Sequence, residues 1–216
     1  RQAVAIDPRF GDAWAGLAIG QRYPVLGPNL RLSDPREVRA AAGRALALDP
    51  KNADARLALI ANYPLFSRWL ERETQLRAFL ADHPDSALGN LLLCQILAEA
   101  GRFDDGLVAA RRVVEIEPEQ KFGWIMQMWA LTNAGRHHEA DLAFEEARKR
   151  WPRDPRLWFV GQELLSQSKR YAEAVAYLRD TTRRPAAIPV ALLDSVIRLK
   201  EAVATGRGID EVRNTA

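Results

Sequence analysis

A single cysteine, Cys94, leaves no partner for an intrachain disulfide and no set of thiols for a cysteine-based metal site. It lies inside Leu91-Leu92-Leu93-Cys94-Gln95-Ile96-Leu97, where a thiol reads as a small buried side chain. Histidine is scarce as well, at three residues. Two of them adjoin in His137-His138-Glu139, but successive side chains on a helix diverge by about 100° and cannot both face one ion. Gly-rich phosphate loops are missing, since Thr205-Gly206-Arg207-Gly208 lacks the Lys-Ser/Thr pair of a P-loop. The serines stand in no His/Asp order that suggests nucleophilic catalysis. No apolar run approaches the ~20 residues of a membrane span, and no signal-peptide pattern opens the chain. Charge of one sign is lacking too. Thirty-one basic residues mix with 28 acidic ones, as in Glu145-Glu146-Ala147-Arg148-Lys149-Arg150, whereas a nucleic-acid binder gathers its basic residues on one face. These absences argue against catalysis, a metal, a cofactor, nucleic acid and membrane insertion.

What is present favours helix. Ala, Leu, Arg and Glu dominate, and runs of alternating β-branched and aromatic residues are absent. Proline supplies a period: Pro50, Pro84, Pro118 and Pro152 are separated by 34 residues each time. Pro8 lies 42 before Pro50, and the surplus falls in the loop-like stretch that begins at Gly20. The flanks recur as well, in Ala5-Ile6-Asp7-Pro8, Ala47-Leu48-Asp49-Pro50 and Glu115-Ile116-Glu117-Pro118. The pattern predicts helices at 1–6, 11–22, 35–48, 53–62, 68–82, 87–100, 104–116, 121–134, 137–150, 155–168, 171–182 and 189–204. Asp34-Pro35 reads as an N-cap followed by proline at the first helical position, and Ser67 as the N-cap of the helix carrying Trp69. Tyr63-Pro64-Leu65-Phe66 reads as an irregular turn.

A 34-residue unit closed by proline resembles the tetratricopeptide repeat family. The unit ending at Pro152 fits best, with Trp124, Gly135, Ala140, Phe144 and Ala147 at the family's positions. Trp158, Tyr171, Ala174 and Leu178 match in the next unit; Leu93, Gly101, Phe103 and Ala110 match in the one before. The unit at 53–86 is the poorest, with Arg56 for the tryptophan and Arg72 for the small alanine. The resemblance implies an all-α, right-handed superhelical solenoid of helix-turn-helix hairpins over 1–216. Its repeats are 1–10 (partial), 11–52 with an insertion at 20–33, 53–86, 87–120, 121–154 and 155–186, followed by a capping helix and tail at 187–216. The chain opens inside a helical run, Arg1-Gln2-Ala3-Val4-Ala5-Ile6, which reads as a fragment of a longer protein.

In this family the first helix of each hairpin lines a groove through its second, fifth, ninth, twelfth and thirteenth positions. A clamp for a partner's C-terminal carboxylate needs Lys or Arg and Asn at the fifth and ninth. Those positions here hold Leu91, Gln95, Ile125, Trp129, Phe159 and Glu163, which excludes that clamp. Leu91, Gln95, Phe122, Ile125, Trp129, Asn133, Phe159 and Glu163 instead make an apolar, aromatic patch with a polar rim, suited to an amphipathic helix or extended peptide. The expected function is non-catalytic protein–protein interaction, as a regulatory part of a larger cytoplasmic bacterial protein. The alternatives are a stand-alone scaffold, self-associating through Trp69 and Trp151, or the repeat arm of a signalling enzyme such as a nucleotide cyclase.

Overall fold

The computed structural model describes residues 1–22, 34–62, 68–182, 184–185 and 190–206. Among them every regular element is an α-helix: α1 (Gln2–Ile6), α2 (Gly11–Arg22), α3 (Pro35–Leu48), α4 (Ala53–Ala61), α5 (Trp69–Asp82), α6 (Ala87–Glu99), α7 (Phe103–Ile116), α8 (Lys121–Asn133), α9 (His137–Arg150), α10 (Pro155–Gln167), α11 (Tyr171–Arg179) and α12 (Val190–Thr205). The fold is a helical repeat of solenoid type, built from helix-turn-helix hairpins. Its contacts form two compact units, Arg1–Ala100 and Gly101–Ala216. The helix carrying Gly20 runs on through Arg22, so the expected insertion starts later than Gly20; its remainder at 23–33 lies outside the described residues, as do Tyr63 to Ser67 and the tail from 207.

Local chemistry sets the helix ends. Asp34 caps α3 by accepting the Arg36 N–H at 2.8 Å, with Pro35 inside the first turn. Asn52, Ser86 and Asp154 cap the first helices α4, α6 and α10 in the same way, at 2.9, 3.1 and 2.9 Å. The second helices α5, α7, α9 and α11 start differently. Their N-cap residues are Arg68, Arg102, Arg136 and Arg170, which make no side-chain cap. Arg68, not Ser67, therefore holds the cap position of α5. A cation at a helix N-terminus opposes the helix dipole. Each arginine meets a carboxylate three residues on that restores the balance: Glu71, Asp105, Glu139 and Glu173. The residue between turn and helix is a ring every time: Trp69, Phe103, His137, Tyr171.

The hairpin turns use left-handed backbone. Gly101 and Gly135 have φ of 74° and 75°, and Lys169 takes the equivalent place with φ of 60°. Around Gly135 the Arg136 N–H reaches the Leu131 carbonyl at 2.9 Å and the Gly135 N–H that of Thr132 at 3.0 Å, the double closure that ends many helices. Lys169 and Arg170 repeat it on Ser166 and Leu165. The proline that closes each unit also has a partner ahead of it. The Trp14 and Trp124 indoles donate to the Pro8 and Pro118 carbonyls at 3.0 and 2.9 Å, and the Asn90 amide donates to Pro84 at 3.3 Å. Trp158 stands in the same register to Pro152, yet its buried Nε1 has no partner.

In Arg1–Ala100, Val38, Ala41, Ala42 and Ala45 make a buried stripe on α3 that meets Ala15 and Ala18 of α2 and Ala55 and Ala58 of α4. The small side chains let these helices approach closely. Arg72, standing where the repeat calls for a small residue, is 2% exposed. It pairs with Glu99 at 3.4 Å, and the Trp69 indole donates to the same carboxylate at 3.1 Å. In Gly101–Ala216 the core is bulkier. Trp124, Met128, Leu131, Phe144, Leu157 and Leu164 pack with the small Ala140 and Ala147, and each fully buried leucine contributes ~2 kcal/mol. Ion pairs tie the outer second helices together: Arg111 to Glu139 at 3.3 Å, Arg136 to Asp104 at 3.7 Å and Arg170 to Asp141 at 2.6 Å.

Candidate functional site

The eight sequence-derived groove residues divide between the units. Leu91 and Gln95 lie on α6 in Arg1–Ala100, where Leu91 is buried at 6% exposure and Gln95 is half-buried. The other six lie on α8 and α10 in Gly101–Ala216. On α8, Phe122, Ile125, Trp129 and Asn133 recur at intervals of three and four and so share one face. The first three are half-buried and Asn133 is exposed.

Each ring on this face is held from one side. The Trp129 indole meets Phe103 edge-on, with centroids 5.8 Å apart and planes at 85°. The Asn133 amide donates to the Trp129 carbonyl at 2.8 Å. Ile125 packs against the unit's main core. The exposed Arg156 guanidinium of α10 sits 4.8 Å from the Phe122 ring centre, a cation–π contact that joins α10 to α8. Phe159 is half-buried and meets Trp158 edge-on at 5.4 Å; the cluster around Trp158 and Leu178 also holds Val196 and Ile197 of α12. Glu163 is exposed. Near it, Lys200 of α12 donates to the Ser166 hydroxyl. Burial holds the Lys200 ammonium below the usual lysine range, against the opposing pull of Glu163.

The remaining singled-out residues serve packing. Trp151 is half-buried with the Lys121 ammonium 5.7 Å from its ring centre, and Lys121 also pairs with Asp154. Partial burial opposes ionisation of Asp154, but Lys121 and the Leu157 N–H outweigh it and hold the carboxyl below its usual range. Trp69 keeps 40% of its surface open beside Leu70 at 79%. His137 Nδ1 lies 2.9 Å from the Ser168 hydroxyl, while His138 is exposed. Cys94 is fully buried, which pushes its thiol up to about 12. Among the described residues no group of three His, Cys, Asp or Glu could hold a metal ion, and no helix is long and apolar enough to cross a membrane.

Several solved structures share this architecture. PilF of Pseudomonas aeruginosa superposes with a TM-score of 0.65 at 18% identity, covering 94% of this chain and 90% of its own. A tetratricopeptide repeat protein from Parabacteroides merdae gives 0.62 at 14% identity, over 99% of this chain and 86% of its own. The fold is of the tetratricopeptide type. A MamA structure gives 0.56 at 20% identity, over 80% of this chain and 96% of its own. No family model matches the chain, and no curated protein matches it in sequence.

The arginine–ring–x–acid element at the start of α5, α7, α9 and α11 was missed in the sequence reading, although its period of 34 residues was there to be found. It was overlooked because the family pattern has no arginine at that position to look for.

Proposed function

We propose that the chain is a non-catalytic protein–protein interaction module that binds a partner peptide or helix on the α8–α10 face, as a regulatory part of a larger bacterial protein. The observation that carries this reading is the half-exposed Trp129, flanked on its own helix by Phe122 and Ile125 and rimmed by exposed Asn133 and Glu163. A large ring fixed by an edge contact loses little side-chain freedom when a partner covers it, which is how binding hot spots are built. The face offers apolar surface with mixed charge at its rim, which suits an amphipathic segment better than an anionic one.

Panning a displayed library of short random peptides against the full chain tests this. Selected peptides carry apolar residues three or four apart, and their affinity falls by about 30-fold for Trp129→Ala with the helical circular dichroism unchanged. Peptides that bind the Trp129→Ala, Phe159→Ala double variant as tightly as the parent sink the proposal. A stand-alone, self-associating scaffold is the second reading, supported by the open Trp69 and Leu70 on α5. Mass by light scattering across a concentration series separates it: self-association through this patch is abolished by Leu70→Glu.

A further inference from the structure

The helix α12 has apolar residues on two sides. On one side Val196 and Ile197 pack against the Trp158–Leu178 cluster. On the other, Leu199 and Val203 are 51% and 44% exposed. A solenoid's terminal cap turns a polar face outward, so this helix has the character of an inner element.

Alignment on the turn residues shows which face is open. Gly206 after α12 has φ of 67°, in line with Gly135 after α8 and Lys169 after α10. Seven residues before these turns stand Met128, Gln162 and Leu199, with exposures of 0%, 8% and 51%. Three residues before them, Thr132 is 4% exposed and Ser166 half-buried, against 44% for Val203. In α8 this face is covered by the hairpin's own second helix, because Met128 shares its core with Ala140, Ala143 and Phe144 of α9. Leu199 and Val203 therefore occupy the positions that a second helix covers.

The sequence past the turn carries the start of such a helix. Gly135-Arg136-His137-His138-Glu139 and Lys169-Arg170-Tyr171-Ala172-Glu173 are followed by Gly206-Arg207-Gly208-Ile209-Asp210, again a left-handed residue, an arginine and an acid three further on. Gly208 replaces the ring. Ile209, Val212 and Ala216 then fall at i, i+3 and i+7, one face of a helix. We propose that α12 is the first helix of a further hairpin, and that the chain's own continuation from Arg207 packs as its second helix on Leu199 and Val203.

Hydrogen exchange of α12 in the full chain tests this with four samples: the parent, Leu199→Asp with Val203→Asp, Ile209→Asp with Val212→Asp, and all four changes together. Each pair speeds exchange over 196–203 by about tenfold or more, and the combination adds little to either pair, as expected of groups that share one contact. Exchange in α8 stays unchanged and reports that the rest of the unit is intact. If Ile209→Asp with Val212→Asp leaves α12 protection as it was, or if the two pairs add in full, the proposal is overturned. A parent mass that doubles with concentration and returns to monomer on Leu199→Asp with Val203→Asp overturns it in favour of a second copy on this face.

Discussion

In Arg1–Ala100 the central cluster is built from seven alanines and one valine, whereas in Gly101–Ala216 the corresponding cluster holds Trp124, Met128, Leu131, Phe144, Leu157 and Leu164. One period of 34 residues thus serves two ways of filling space. Where both faces of a helix pair are small, backbones approach and the methyl groups interlock. Where rings enter, small residues such as Ala140 or Gly161 must stand opposite them. Interiors are packed to the same density either way, so the two units differ in which error they tolerate. Deletion of side-chain volume should hurt the second unit, and addition of volume the first.

The largest expected effect is in the second unit. Phe144→Ala leaves a hole in the ring-lined core and costs about 4 kcal/mol in urea unfolding; a loss below about 1 kcal/mol contradicts the packing described here. Next comes the buried arginine of the first unit. Glu99→Ala strands the Arg72 guanidinium and costs about 3 kcal/mol, whereas Arg72→Met, which removes the buried charge, costs much less. An equal loss for both variants is the contrary outcome. Volume added opposite a ring or an alanine gives smaller losses. A Cβ at Gly161 falls 2.5 Å from Phe144 Cζ and 2.7 Å from the Tyr177 hydroxyl, so Gly161→Ala costs about 2 kcal/mol, as does Ala42→Leu in the alanine cluster. The smallest effect has the opposite sign. Lys169 holds a left-handed backbone that glycine holds at 101 and 135, so Lys169→Gly stabilises by ~0.5–1 kcal/mol while Gly135→Ala destabilises by about 1 kcal/mol. A loss on Lys169→Gly means that the lysine side chain holds the turn by some contact of its own.

Much of the fold was legible in the sequence because its punctuation is local. Proline closes each unit, Asp34-Pro35 opens α3, and glycine sits in two of the turns, so most expected helix limits fall within a residue or two of those observed. The helix ending at Arg179 is three residues shorter than expected, since nothing local at 180–182 signals its end. Other features depend on neighbours distant in the chain. Arg72 reads as a misfit at a small position and turns out buried against a carboxylate 27 residues away. Leu91 reads as a groove residue and is buried, and Phe159 shares its surroundings with residues of α12. The stripe on α8 was readable because it follows from helical spacing alone. How much of each ring is left open was not, since that is set by Phe103 and Arg156 from other helices.

The central claim is that the first-helix face of Gly101–Ala216, and not its outer second-helix face, receives a partner. The outer face is the natural competitor, since Val108 on α7 and Leu142 on α9 are 71% and 59% exposed in matching positions of successive repeats. The deciding measurement is chemical-shift mapping of the labelled full chain with one peptide selected by panning. The account predicts saturable shifts at the Trp129 indole N–H, Asn133 and Glu163, with Val108 and Leu142 unmoved. Shifts confined to Val108, Leu142 and their neighbours would contradict it.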